Sequence, residues 1–362
     1  MEDLVKNIVS LDLNFWKDKR VFITGHTGFK GSWLSILLNK LGSEVYGYAL
    51  EPSKDNALYN ELSLSSSINS TFGNILDYQF LKKIINSCQP EIIFHMAAQP
   101  LVRDSYVIPL ETIQTNAIGT ANLLDIVRGT PTVKALVNIT TDKCYENEEL
   151  GIPFKETDPL GGRDPYSASK ACSEIITHAF RQSFFLNSNC KIATARAGNV
   201  IGGGDWSNNR LIPDMVMSLK ESRNIILRNP NSIRPWQHVL DPLFGYIRLA
   251  EYLSNHKKFD SAWNFGPSKQ GFIDVYNLTK KFVSYWEFDE EIKIEENLQE
   301  PYESKILKLD ISKARAELNW EPIFDIDETI KITSEWYKNF YKDGVSAETL
   351  CSQDISLFLS RL

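Results

Sequence analysis

The chain has 362 residues, 39 Lys and Arg against 46 Asp and Glu, and a formal net charge of -7. That length suits one large or two medium domains of a soluble globular protein, and a negative balance without clustered Lys or Arg excludes nucleic acid or an anionic membrane as principal partner. No apolar run approaches the ~20 residues of a membrane span. The cysteines Cys88, Cys144, Cys172, Cys190 and Cys351 form no C-x-x-C pair, so free thiols in a reducing cytoplasm are expected and a zinc or other metal site is not. The opening M-E-D-L-V-K-N has neither a signal-peptide nor a transit-peptide pattern.

Residues Arg20 to Thr24 read as a short apolar strand, followed by G-H-T-G-F-K-G and the helical pattern W-L-S-I-L-L-N-K-L ending at Gly42. Strand, glycine-rich turn and helix together open a dinucleotide-binding βαβ unit. Gly25, Gly28 and Gly31 tighten the turn, admit a pyrophosphate to the backbone and let helix and strand pack closely, although the spacing is G-x-x-G-x-x-G. The next strand, Glu44 to Leu50, meets its first acid only at Glu51, so it does not by itself choose between NAD and NADP. Within G-N-I-L-D, Asn74 either faces an adenine edge or belongs to a loop in which Asp77 caps the following helix.

Ile92 to Met96 is a further strand, running into Ala97 and Ala98, which are small enough for a dinucleotide to lie against the backbone. His95 is expected to be a satisfied core histidine. Downstream, T-N-A-I-G-T lies within an apolar helix, where Asn116 needs a partner and is expected to tie strands together near the cofactor. The strand Ala135 to Ile139 then delivers T-T-D-K-C-Y to the carboxyl edge of the sheet, where ligands sit in open α/β folds. In D-P-Y-S-A-S-K, Tyr166 and Lys170 are one helical turn apart, and an ammonium beside a phenol is expected to draw its pKa down from ~10. Such a pair is a proton acceptor for an alcohol. After the strand Ile192 to Ala195 come G-N-V-I-G-G-G-D-W and R-P-W-Q-H-V. The guanidinium fork of Arg234 matches two phosphate oxygens, whereas Trp236 and His238 are expected to pack. Arg196 is open between a structural role and the phosphate region. Asp241, Asp274 and Asp310 are expected helix caps, and a long amphipathic helix is expected from Asp327.

The glycine turn, H-M-A-A-Q, T-N-A-I-G-T, T-T-D-K and Y-S-A-S-K, in this order, make the chain resemble an extended short-chain dehydrogenase/reductase. Among these it is most similar to the CDP-glucose 4,6-dehydratase type, through T-G-H-T-G-F-K-G, Q-P-L-V-R, T-T-D-K-C-Y-E-N, G-N-V-I-G-G-G-D-W and R-P-W-Q-H-V-L-D-P-L. The resemblance implies a doubly wound, Rossmann-like parallel sheet over residues 1–195, rejoined by about 238–265, and a smaller substrate domain over 196–362. It implies NAD held by Gly25, Thr27, Gly28, Phe29, Lys30, Gly31, Asn74, Ala97, Ala98, Gln99, Tyr166 and Lys170, and CDP-glucose held by Arg103, Asn199 and Arg234.

The implied reaction oxidises carbon 4 with Tyr166 and Lys170, eliminates water across carbons 5 and 6, and returns the hydride to carbon 6. Thr141 would face the ketone and Asp142 would be the acid. Lys143 stands where related dTDP-glucose enzymes carry the glutamate base, so its pKa would have to fall for it to act. The resemblance further implies a cytoplasmic homodimer associating through Pro109 to Val127 and Tyr166 to Phe185, in deoxysugar biosynthesis for lipopolysaccharide O-antigen. A 4-epimerase would keep Tyr166 and Lys170 without needing Asp142 and Lys143, and a non-catalytic dinucleotide sensor would need none of the four. The polar 285–304 stretch and the segments around Arg210 to Arg228 are expected to close over the nucleotide.

Overall fold

Apolar runs bounded by glycine, proline and short polar loops become seven strands: β1 Arg20–Thr24, β2 Glu44–Ala49, β3 Asn69–Phe72, β4 Ile92–His95, β5 Ala135–Ile139, β6 Lys191–Ala197 and β7 Ala262–Phe265. They form one sheet in the order β7-β6-β5-β4-β1-β2-β3, parallel throughout. The computed structural model describes residues 12–52, 57–255, 257–286, 291–295 and 302–362. The opening heptapeptide and parts of the polar 285–304 stretch lie outside the described residues. Every residue of β4, β5 and β6 is buried, as expected when helices cover both faces of a parallel sheet. β3, at the edge, is half exposed.

Strand order reverses between β1 and β4, so the loops after these strands diverge to opposite faces and leave a crevice at the carboxyl edge. The helices that carry the site start there. Helix α1 (Phe29–Lys40) begins on Gly28. Helix α2 (Tyr78–Cys88) is capped by Asp77, whose carboxylate accepts the Phe80 N–H at 3.0 Å. The apolar stretch around T-N-A-I-G-T is not one regular helix: Pro109–Ile113 runs through a π turn, Gln114–Ile118, into α3 (Gly119–Arg128). The π turn carries Asn116 toward its partners, a common use of such bulges. Helix α4 (Pro165–Phe180) has Asp164 as cap, accepting from the Ser167 N–H at 2.9 Å, and Pro165 in its first turn.

Beyond β6 the chain leaves the sheet. Three short pairings organise it: Val200–Ile201 with Gln237–His238, Ile233–Pro235 with Phe272–Asp274, and Ile225–Leu227 with Ile292–Ile294. The intervening helix α5 (Leu240–Asn255) and strand β7 return to the sheet, α5 packing on β5 and β6. Asp274 caps its helix as expected. Asp241 does not cap: it lies inside the first turn of α5, and its carboxylate accepts the Ile323 N–H instead. The long helix starts on Asp325, with a capping box to Glu328. Among the described residues no helix is long and apolar enough to cross a membrane.

Three histidines, His26, His95 and His238, are buried. His95 lies between the Thr24 hydroxyl at 2.7 Å and the Thr120 hydroxyl at 3.1 Å, a satisfied core residue. His238 packs between Trp33 and Phe324. Burial pushes His26 down to about 4 and His95 and His238 down to about 3. Folded-state values below the unfolded ~6.5 mean that their contribution to stability is present above that pH and lost as pH falls toward the folded values. The melting temperature should therefore begin to drop between pH ~6.5 and ~5, before most carboxylates titrate. A flat melting temperature across that window would remove the histidines from the account.

Candidate active site

The loop after β1 is shaped by two glycines that tolerate no side chain. Gly25 has φ +78, and a Cβ there would lie 2.7 Å from the Ala97 nitrogen. One on Gly31 would lie 2.1 Å from the Gly25 carbonyl oxygen. β1, β4 and α1 can meet this closely only without Cβ atoms. The amides at the start of α1 then face the crevice, an arrangement suited to an anionic pyrophosphate. Thr27 donates to the Leu50 carbonyl at 3.1 Å, joining the turn to the end of β2. Ala97 directs its N–H to the Thr24 hydroxyl at 3.1 Å, and Ala98 follows it at the end of β4. Asn116 clamps Gln99, accepting its N–H at 2.9 Å, donating to its carbonyl at 3.0 Å and donating to Ser169 on α4 at 2.8 Å. Asn74 closes its own loop on the Leu76 N–H at 2.9 Å. These residues form a cradle a dinucleotide fits, although Asn74 spends its side-chain oxygen locally.

Beside the cradle lies a cavity of about 770 Å³. Its wall brings together Phe29, Lys30, Arg103, Thr141, Asp142, Lys143, Tyr166, Asn199 and Arg234. Lys170 lies behind the wall, donating to the Ile139 carbonyl at 3.1 Å. Burial lowers Lys170 to about 8, against the charge of Glu174, which raises it. Lys30 is lowered to about 7, first by burial and then by the charges of Lys170 and Arg210.

Tyr166 differs from the sequence expectation. Burial pushes its phenol up to about 12, opposed by the neighbouring Thr141 hydroxyl and the charge of Arg210. Desolvation of the phenolate outweighs the Arg210 cation, and the Lys170 ammonium donates to the Ile139 carbonyl. The Thr141 hydroxyl donates to Asp142 Oδ1 at 3.1 Å. Asp142 is 1% exposed, and its Oδ2 has no hydrogen-bond partner among the described residues. That carboxylate lies against Gly198, where a Cβ would sit 1.9 Å from Oδ2.

Across the cavity, Arg234 is 4% exposed, donates from Nη1 to the Ile233 and Lys305 carbonyls at 3.1 Å each, and places Nη2 3.6 Å from Glu303. Those bonds fix the guanidinium plane at the wall. Asn199 has φ +28 and a buried amide oxygen without a partner among the described residues. Arg196 is structural: it pairs with Glu174 at 2.8 Å behind β6. Trp236 donates to the Ile273 carbonyl at 3.1 Å and packs, as expected. Gly198, the first residue of G-N-V-I-G-G-G-D-W, makes room for Asp142, a role that sequence reading did not assign, and Arg228 pairs with Asp214 at 3.6 Å in the distal wall, inside the stretch expected to close over the nucleotide.

The chain matches the model of the GDP-mannose 4,6 dehydratase family over residues 22–333. It is 45% identical to a CDP-glucose 4,6-dehydratase of Salmonella typhimurium across 97% of this chain and 99% of that protein. Its fold is similar to that of a UDP-glucose 4-epimerase of Thermotoga maritima solved with UDP-glucose, with a TM-score of 0.79, 22% identity and coverage of 89% and 100% of the two chains. A dTDP-glucose 4,6-dehydratase of Bacillus anthracis in complex with NAD is similar at a TM-score of 0.75 and 23% identity, covering 89% and 97%.

Proposed function

The chain belongs to the GDP-mannose 4,6 dehydratase family, within the extended short-chain dehydrogenases/reductases, and from that premise we propose that it is an NAD-dependent CDP-glucose 4,6-dehydratase. The observation that carries this reading is the single cavity joining Tyr166 to Thr141, Asp142 and Lys143 beside a glycine cradle. Gly25, Thr27, Gly28, Phe29, Lys30 and Gly31 on one side and Ala97, Ala98 and Gln99 on the other would hold NAD, which would supply a reversible hydride acceptor for the oxidation at carbon 4 and the reduction at carbon 6.

The chain's own groups move the protons. Tyr166 accepts the proton of the carbon-4 hydroxyl, and Lys170 fixes the loop behind it through the Ile139 carbonyl. The ketone acidifies carbon 5, whose proton Lys143 takes. Asp142 protonates the departing carbon-6 hydroxyl, and water leaves. Lys143 then returns its proton to carbon 5. Arg234 and Asn199 hold the diphosphate, with Arg103 on the same wall. A 4-epimerase would leave Asp142 without work, whereas a buried carboxylate with a free oxygen suits an acid in an elimination.

Purified protein with NAD should convert CDP-glucose to a product lighter by one water, with no net NADH, while UDP-, dTDP- and GDP-linked hexoses stay unchanged. A product of unchanged mass would make it an epimerase. No turnover of any sugar nucleotide would leave a dinucleotide sensor.

The reading includes two lobes, 1–195 with a return at about 238–265 and 196–362, and work in the cytoplasm on a deoxysugar precursor of the O-antigen type. All five cysteines are free thiols, in keeping with a reducing compartment. It also includes a homodimer. Leu110 is 73% exposed, and Ile113, Ile118, Ile175 and Phe184 are also exposed on the two helical stretches at Pro109 to Val127 and Tyr166 to Phe185. An apolar face of this kind on two adjacent helices marks an interface. The double variant Leu110→Glu, Ile175→Glu should sediment as a monomer where the parent sediments as a dimer; a monomeric parent would refute the dimer.

A further inference from the structure

The dehydration proposed above, on which this inference rests, leaves one proton to be moved in every turnover. The carbon-4 hydroxyl gives up a proton near Tyr166. The proton taken from carbon 5 is lent to Lys143 and returned. The departing carbon-6 hydroxyl takes a proton from Asp142. The cycle therefore ends with one proton too many at Tyr166 and one too few at Asp142, and it cannot repeat until a proton crosses between them.

Thr141 stands between these two groups. Its hydroxyl donates to Asp142 Oδ1 at 3.1 Å, and it shares the cavity wall with Tyr166, close enough to favour the phenolate there. Tyr166, Thr141 and Asp142 are 8%, 5% and 1% exposed, so bulk water reaches none of them readily. We propose that Thr141 is a proton relay that carries the carbon-4 hydroxyl's proton equivalent from Tyr166 to Asp142, where the elimination consumes it. As the substrate O–H bond breaks, a new bond forms to the Tyr166 oxygen. The phenol's own proton passes to Thr141 Oγ1, and the Thr141 proton passes to Asp142. The electron pair left on the substrate oxygen closes the carbonyl as the hydride leaves carbon 4 for NAD. Asp142 then delivers its proton to the carbon-6 hydroxyl, the carbon–oxygen bond breaks, and the carboxylate is restored.

Both hydroxyls end protonated, as they began: the substrate's hydroxyl proton stays on Tyr166, the phenol's proton rests on Thr141, and the former Thr141 proton leaves in the product water. Tyr166 never has to exist as a free phenolate. That accounts for a base whose phenol burial pushes up to about 12. It also gives Asp142 a part in the oxidation as well as in the elimination.

The test follows reduced nicotinamide by its absorbance when NAD-loaded enzyme is mixed rapidly with CDP-glucose. Asp142→Asn and Thr141→Val should each slow this first oxidation about 100-fold or more at neutral pH, and the rate should recover as pH rises toward the phenol's range. Thr141→Ser, which keeps the hydroxyl, should stay within a few-fold of the parent and keep its pH profile. Equal melting temperatures for the Ser and Val variants would separate the relay from a packing effect. The relay is overturned if Asp142→Asn oxidises at the parental rate and accumulates reduced nicotinamide, or if Thr141→Ser is as slow as Thr141→Val. A parent enzyme that fails to dehydrate CDP-glucose would instead refute the function itself, and the relay with it.

Discussion

Tyr166→Phe is expected to lower kcat on CDP-glucose by about 10²- to 10⁴-fold, the range that one well-placed general base contributes. The substitution removes a single oxygen. Asp164 still caps α4 through the Ser167 N–H, and Lys170 still donates to the Ile139 carbonyl, because neither contact uses the phenol. The ring continues to fill its place in the cavity wall. Affinity for CDP-glucose, measured by calorimetry on the NAD-bound enzyme, should therefore change by no more than a few-fold. A large loss of affinity with intact kcat would mean that Tyr166 only shapes the pocket. Parental turnover would take the phenol off the proton path altogether.

The parts of this site that could be read from the sequence are those built by local chain geometry. β1 and β5 have the bounds the apolar runs predict, Arg20–Thr24 and Ala135–Ile139, since a strand buried on both faces must be apolar throughout. Asp77 and Asp274 cap because a short carboxylate beside a helix start has one evident partner. The Tyr166 and Lys170 spacing was legible for the same reason, but the direction of the phenol's shift was not. Spacing says who is near, whereas burial depends on packing between segments far apart in the chain, and here it outweighs Thr141 and Arg210, which pull the other way. Asp241 looked like a cap until residues about 80 positions later supplied the Ile323 N–H. The pairing of Asp214 with Arg228 in the distal cavity wall joins the helix Leu211–Lys220 to the chain after the strand Ile225–Leu227, a tertiary contact that spacing does not show.

The largest loss of stability should come from Glu174, which the sequence does not single out at all. Glu174 sits one turn after Lys170 on α4 and is 2% exposed. Its carboxylate accepts from Arg196 Nε at 3.0 Å and Nη2 at 2.8 Å, from Thr194 at 2.7 Å, and from Thr140. Arg196 in turn donates to the Tyr145 hydroxyl at 2.8 Å and lies over its ring, and Tyr145 donates to Asn264 on β7 at 2.6 Å. One carboxylate thus joins α4 to the ends of β5, β6 and β7 underneath the reactive loop. Glu174→Gln leaves the Arg196 cation buried without a counter-charge, which should cost about 3–5 kcal/mol in denaturant unfolding. Glu174→Leu combined with Arg196→Met removes both charges and should cost clearly less than the single change, since neither ion then has to be desolvated. The charge of Glu174 also holds the Lys170 pKa up against burial. In the Gln variant the ammonium should therefore titrate below about 8, so an alkaline limb of kcat that depends on Lys170 would move to lower pH. If the double variant is as unstable as Glu174→Gln, the packing of these side chains rather than their charge pairing holds the strand ends, and the coupling to Lys170 would have to be sought elsewhere.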